Sequence, residues 1–204
     1  MSPAPPLARA ELPYLFCRQA VRIAFKLWFA YRAEGLENLP TDRSYLLVAN
    51  HHSFIDPPMV GCADPHQLGY LARKSLFKPY GFGRLLRFVG SIPVDRGSSD
   101  RGALEAAVRC LRSGRPIVFF PEGTRGPEGE VGPFKRGFLL VARRAGVPVV
   151  PVGITGSGRA WPKGRVLPRM RAVTVRFGTP IPPGELRVLG EEGVRRRVLS
   201  LCET

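Results

Sequence analysis

The sequence predicts an α/β protein: a single layered domain with a largely parallel central sheet flanked by helices, plus an N-terminal amphipathic helix. Three observations carry that prediction. Short, β-rich apolar runs alternate with helical stretches along the chain, the pattern of strand–helix–strand crossovers. The runs are continuously apolar, as suits parallel strands buried on both faces. Finally, 204 residues with 44% hydrophobic positions suffice for one core that buries roughly 70% of the surface of the unfolded chain. With 23 Gly and 21 Pro, the composition stays below that of disordered or collagen-like chains.

Tyr14 to Tyr31 is the first element. Arg18, Arg22 and Lys26 recur every four residues and so form one stripe on a helix. Leu15, Phe16, Ile23, Leu27, Trp28 and Tyr31 cover much of the remaining surface. The three bases interrupt the run, so it is not expected to span a bilayer. Two readings fit: a helix lying in the plane of an anionic membrane, or an ordinary helix packed on the core. Trp28 and Tyr31 beside bases suit the interface.

Ser44 to Ala49 is the first strand expected, ending in Asn50-His51-His52. Asp56-Pro57-Pro58 reads as a helix start, with Asp56 as N-cap and Pro57 in the first helical position. Further strands are expected at Gln67 to Ala72, Phe88 to Val94, Pro116 to Phe120, Val147 to Gly153 and Ala172 to Phe177. Helices are expected at Lys78 to Arg87, Asp100 to Arg112, Arg136 to Ala145 and, on a weaker pattern, Gly190 to Cys202. There is no internal repeat.

The formal net charge of +15 and the isoelectric point near 10.8 call for an anionic partner: nucleic acid, a phosphorylated ligand or an acidic membrane. Of the 31 bases all but Lys26, Lys74, Lys78, Lys135 and Lys163 are arginines, suited to bidentate phosphate contacts. A basic nucleic-acid-binding module rests on charge alone, because no RRM, KH, zinc-finger or helix-turn-helix pattern stands out. Cys17, Cys62, Cys110 and Cys202 are scattered, which suggests neither a zinc site nor a disulfide framework and reads as buried thiols in a reducing compartment. Met1 to Ala10 lacks the basic start and apolar run of a secretory signal.

Polar residues gather where the expected strands end, which is where open α/β sheets hold ligands. His51 and Asp56 are five apart and would diverge by about 140° on a continuous helix; a loop leading into a helix lets them meet. Asp56 could then fix the tautomer of His51 and leave the other ring nitrogen to take a proton. Equally, His51 could be a loop donor and Asp56 a mere cap. Ser53 reads as a loop residue bonding backbone. Pro121-Glu122-Gly123-Thr124-Arg125-Gly126 follows an apolar strand and combines an arginine fork with backbone that can approach a ligand closely. Gly90 to Arg96 ends similarly, with Arg96 available to an anion. His51-His52 with Asp56 could suggest a metal site, but no further ligand is evident nearby.

Taken in order, these blocks resemble the lysophosphatidate (1-acyl-sn-glycerol-3-phosphate) acyltransferase family of glycerolipid acyltransferases. Asn50-His51-His52-Ser53-Phe54-Ile55-Asp56 is similar to its NHxSxxD block, Gly90 to Arg96 to its second block, Phe120 to Arg125 to its FPEGTR block, and Val150-Pro151-Val152 to its VPV block. Lys74-Ser75-Leu76 and Phe134-Lys135-Arg136-Gly137 also resemble the family, and the likeness runs from about Leu36 to Phe177. It is loosest at Ile92-Pro93-Val94, where family members often carry an aromatic.

The resemblance implies transfer of a fatty acyl group from an acyl-CoA or acyl-ACP (acyl carrier protein) thioester to the sn-2 hydroxyl of lysophosphatidic acid, giving phosphatidic acid. Related members acylate another lysolipid or glycerol 3-phosphate. It implies His51 as general base and Asp56 as its partner. Arg96, Glu122, Gly123, Thr124 and Arg125 would then surround the phosphorylated head, with Lys74 and Lys135 as further bases. Neither a metal nor a bound cofactor is implied. Residues 1–35 would form a tail and membrane-docking helix and residues 36–204 the catalytic domain, peripheral on the cytoplasmic face of an anionic phospholipid membrane. The bases around Trp161, from Arg159 to Arg171, could form a second docking patch or a solvated loop.

Overall fold

A computed structural model of the chain describes residues 6–8, 10–94 and 100–203. Seven strands form one sheet: β1 (Arg32–Glu34), β2 (Leu46–Ala49), β3 (Gly69–Arg73), β4 (Ser91–Val94), β5 (Ile117–Phe119), β6 (Val149–Thr155) and β7 (Thr174–Phe177). Their spatial order is β1-β7-β6-β2-β5-β3-β4. Every pair is parallel except β6 with β7. The expected largely parallel sheet is therefore present, with strands one to three residues shorter at their starts than the apolar runs suggest.

The helices are α1 (Leu12–Phe29), α2 (Asp56–Ala63), α3 (Tyr80–Phe88), α4 (Asp100–Arg112), α5 (Gly137–Ala145), α6 (Ser157–Ala160) and α7 (Pro183–Glu203). Side chains alternate across each strand, so β2 sends Leu47 and Ala49 into one core and Leu46 and Val48 into another. The first core lies under α2 and the end of α1. The second lies under α4, α5 and α7. Right-handed crossovers explain this division. The chain steps outward from β2 to β3 and from β3 to β4, then back from β4 to β5 and from β5 to β6, so α2 and α3 share one face and α4 and α5 the other.

Several expectations are corrected. Phe88 closes α3, and the strand begins only at Ser91, after Gly90 turns the chain at φ 86°. A 3₁₀ turn, Lys74–Phe77, precedes α3. Asp56 is the first residue of α2 instead of its cap, which is Ile55, so Pro57 takes the second position. The last helix starts well before Gly190; there the backbone leaves helical geometry (φ 61°, ψ −166°), and only the half beyond that break had a readable pattern. Strand β1 carries no apolar signal and forms by pairing with β7.

The largest correction concerns α1. The helix ends at Ala30, in left-handed geometry (φ 43°), so Tyr31 is off the helix. It is only 3% exposed, with its hydroxyl donating to the Met59 carbonyl at 2.7 Å, and so cannot dock on a membrane. The Arg18 and Arg22 part of the basic stripe faces inward. Arg18 donates from Nη1 to the Asp64 carbonyl at 2.6 Å, at the end of α2. Arg22 is partly buried beside Tyr31 and Cys62. Leu12, Phe16, Ile23, Leu27 and Trp28 point outward, Phe16 at 82% exposure and Leu27 at 78%; Lys26 is also exposed, whereas Leu15 is partly covered. The outward face of this amphipathic helix is thus the apolar one.

Candidate active site

The carboxyl ends of β2, β5 and β6 bring the polar blocks together. After β2 the chain forms a tight loop into α2, and Asp56, fully buried, organises it. Its Oδ2 accepts from the backbone N–H groups of His52 and Ser53, each at 2.7 Å, and lies 2.8 Å from Nδ1 of His51. That carboxylate holds a proton on Nδ1 and presents Nε2 as a base. The His51 side chain remains 19% exposed. Its ring stacks on Phe120, with centroids 4.3 Å apart.

His52 is buried and structural. The Asn50 amide donates to His52 Nε2 at 2.7 Å, which makes Nδ1 the protonated nitrogen, directed at the Gly126 carbonyl. Asn50 also exchanges both of its amide functions with the backbone of Ile154, each at 2.8 Å. It therefore clamps the loop after β2 to strand β6. Ser53 donates from its hydroxyl to the Trp161 carbonyl at 2.8 Å, the backbone-bonding role expected of it.

The loop after β5 packs against the His51 loop. Glu122 was expected near a headgroup, but both its oxygens are engaged by backbone: Oε1 accepts from the N–H of His51 at 3.0 Å and Oε2 from that of Gly132 at 3.3 Å. The Gly126 N–H donates to the His51 carbonyl at 2.9 Å. Glu122 thus positions the imidazole by holding its main chain. Burial raises its carboxyl above the ordinary range, opposed by the two N–H groups it accepts.

Arg125 lies flat on Phe54, its guanidinium carbon 3.5 Å from the ring centroid. Its Nη1 is buried without a hydrogen-bond partner, which is uncommon for a charged donor. Gly123 turns the loop at φ 75°, and a side chain there would run into the Lys135 ammonium at 2.9 Å. Thr124 and Lys135 are exposed beside it, and Lys74 is exposed directly after β3 on the same rim of the sheet. Arg96 falls outside the described residues. Among the described residues no group of three or more His, Cys, Asp or Glu could hold a metal.

The structure thus joins the first and third blocks. Phe54 and Phe120, the ring supports of Arg125 and His51, have no signal in the sequence pattern. Nor does Glu128, whose carboxylate accepts from the N–H groups of Gly156 and Gly158 and ties the loop before α5 to the one after β6. Phe54 and Phe120 lie within the two polar blocks, but an aromatic near the end of a strand is common in core segments and marks no role.

Residues 30–155 match the family described as Acyltransferase. The chain is 30% identical over 144 residues to the 1-acyl-sn-glycerol-3-phosphate acyltransferase of Bacillus subtilis, covering 70% of this chain and 71% of that protein. It is 34% identical over 136 residues to a chloroplastic 1-acyl-sn-glycerol-3-phosphate acyltransferase of Brassica napus, covering 64% of this chain but only 39% of the plant protein. The crystal structure of the 1-acyl-sn-glycerophosphate acyltransferase PlsC from Thermotoga maritima superposes with a TM-score of 0.76 at 30% identity, covering 93% of this chain and 77% of that one.

Proposed function

The chain belongs to the PlsC/1-acyl-sn-glycerol-3-phosphate acyltransferase family of glycerolipid acyltransferases, and on that premise we propose that it acylates the sn-2 hydroxyl of lysophosphatidic acid to give phosphatidic acid, using an acyl-CoA or acyl-ACP thioester. The observation that carries this reading is the His51–Asp56 pair, 2.8 Å apart at the open rim of the sheet.

An alcohol is a weak nucleophile until its proton leaves. His51 Nε2 takes that proton as the hydroxyl oxygen bonds to the thioester carbonyl carbon. The carbon–sulfur bond then breaks, and the departing thiolate receives the proton back from the imidazolium. A positioned base of this kind typically contributes about 100-fold to 10,000-fold. Asp56 stabilises the imidazolium and fixes its orientation. Ser53 is not needed as a nucleophile, and its hydroxyl is already committed to Trp161.

The unpaired Nη1 of Arg125 supports a phosphate beside the loop after β5, with Lys135, Lys74, Thr124 and the Gly123 backbone as candidate further contacts and Arg96 assigned by the resemblance alone. Glu122 acts indirectly, through the main chain of His51.

Membrane docking follows from the acceptor. Each methylene drawn from lipid into water costs about 0.8 kcal/mol, so a long-chain lysolipid is best taken sideways from the bilayer. No helix among the described residues is long and apolar enough to cross a membrane, and the outward apolar face of α1 fits insertion into one leaflet. The site would then work as a peripheral enzyme on the cytoplasmic face.

The test is to incubate the purified protein with labelled palmitoyl-CoA or palmitoyl-ACP and a panel of lysolipids and glycerol 3-phosphate. Phosphatidic acid from lysophosphatidic acid is expected. Acylation of another lysolipid or of glycerol 3-phosphate alone would overturn the acceptor assignment, and no acylation at all would overturn the activity.

A further inference from the structure

Outside the site, the strongest unexplained feature is the connection from β3 to β4. Between Arg73 and Phe88 the sequence carries five bases, Arg73, Lys74, Lys78, Arg84 and Arg87, and no acid. The same stretch exposes Leu76, Tyr80, Phe82, Leu85 and Phe88, Tyr80 at 79% and the rest between 39% and 49%.

This is not loose packing of a core helix. Helix α3 sits down on the 3₁₀ turn through Gly83, where a Cβ would lie 2.4 Å from the Phe77 carbonyl oxygen, and Phe77 is buried beneath it. The helix is thus seated through Gly83, with Leu86 part-buried, while Tyr80, Phe82, Leu85 and Phe88 stay exposed. Arg84 lies over the Tyr80 ring and donates to its hydroxyl at 3.0 Å, and Arg87 lies over Phe77. Apolar groups and bases therefore share one outward surface. A soluble monomer rarely leaves such a surface uncovered.

We propose that α3 is a second membrane-docking element, which inserts its apolar side chains into the leaflet that receives α1 and pairs its bases with anionic lipid headgroups. The charge selects the occupant: five bases with no acid suit an anionic interface, where each contributes by attraction to the surface potential. The fold selects the side. By the handedness of the β3–β4 crossover, α3 lies on the sheet face that carries α2, and α1 packs against α2 through Arg18. Both helices therefore lie on one side of the sheet, while α4, α5 and α7 lie on the other. The turn that begins α3 also starts at Lys74, on the rim of the candidate site, so docking here would hold that rim against the lipid surface.

The proposal rests on the membrane-lipid reading of the site, and the experiment separates the two. Full-length protein is sedimented with vesicles of phosphatidylcholine alone or with added phosphatidylglycerol, and Phe82→Glu/Leu85→Glu is compared with Phe16→Glu/Leu27→Glu on α1. All four positions are exposed, so the folds should survive, as reported by retained activity on a short-chain, water-soluble acceptor. The α3 variant should lose at least about tenfold in partitioning onto the anionic vesicles. Wild-type binding by the α3 variant, with release of the α1 variant, would overturn the proposal and leave the membrane reading standing. No binding by the wild type would overturn both.

Should the double variant fail to fold, Tyr80→Trp in a Trp28→Phe/Trp161→Phe background gives a milder probe. A blue shift of its emission on adding anionic vesicles is expected, and an unshifted spectrum would overturn the proposal. Light scattering covers the alternative occupant. Self-association that the α3 substitutions abolish, while vesicle binding persists, would assign the face to a second copy of the chain and overturn the proposal.

Discussion

Among the described residues are two histidine–aspartate pairs, and their comparison separates geometry that can do chemistry from geometry that holds a fold. His51–Asp56 and His66–Asp64 both join Nδ1 to a fully buried carboxylate, at 2.8 and 3.2 Å, with the two imidazoles 19% and 20% exposed. They lie at opposite ends of the sheet. The first follows the carboxyl end of β2, where α/β folds open their ligand crevices. The second lies before β3, and the fully buried Tyr45, at the start of β2, donates its hydroxyl to Asp64 at 2.7 Å and lies 3.0 Å from His66 Nδ1. Asp64 also accepts from the His66 backbone, and its carbonyl anchors Arg18 of α1. Around His51, by contrast, a backbone-gripped carboxylate and Phe120 fix the ring while Arg125 waits nearby with an unpaired donor. A hydrogen-bonded His–Asp pair is therefore no signature by itself; the place on the sheet and the neighbours decide.

The sharpest way to break this comparison is to truncate each imidazole. His51→Ala should lower kcat by about 100-fold to 10,000-fold, whereas His66→Ala should leave it within about twofold. Equal losses, measured on folded proteins, would erase the distinction. Next in size are the acids. Asp56→Asn should lower kcat by roughly 100-fold, because an amide directed at Nδ1 favours the wrong tautomer. Asp64→Asn should instead cost about 1–3 kcal/mol of stability through lost buried hydrogen bonds, read by denaturant unfolding, with kcat little changed. A stable Asp64→Asn protein with impaired kcat would show that the second pair reaches the chemistry.

Arg125→Ala should raise KM for the phosphorylated acceptor about tenfold or more, with a smaller change in kcat, as expected of a lost charge-assisted contact. An unchanged KM would remove Arg125 from headgroup binding. The smallest effect concerns Glu122. Its raised carboxyl pKa means that the folded state binds the proton more tightly than the unfolded state does. That contribution to stability is present below the ordinary carboxyl pKa and is lost as pH rises through the folded value. Glu122→Gln removes this titration, so the Tm of the variant relative to wild type should rise as pH increases from below to above the ordinary carboxyl range. A relative Tm independent of pH would count against it.

The site was legible where its chemistry is contiguous. His51 to Asp56 lies in one loop and Glu122 to Arg125 in another, and their order along the chain carried the family resemblance. What could not be read depends on contacts far apart in sequence. Periodicity shows which residues of α1 share a stripe, but not which stripe faces the domain; an arginine stripe can dock on carbonyls while the apolar one is left outside. Asn50 meets Ile154 across 104 positions, and β1 meets β7 across an even longer stretch. Tyr31 looked helical because nothing in the sequence marks Ala30 as a left-handed terminus. The alternation of strands and helices, in contrast, needs only local pattern, and the sheet followed from it.

The claim at the centre is that His51 works as a base on the acceptor hydroxyl and not as an acyl carrier. Rapid-quench measurement of labelled palmitoyl thioester consumption, with and without lysophosphatidic acid, addresses it in wild type and in His51→Ala. The thioester should persist until acceptor is added and then be consumed only by the wild type, with label passing directly into phosphatidic acid. Consumption without acceptor, leaving acyl label on the protein in proportion to enzyme, or undiminished transfer by His51→Ala, would contradict it.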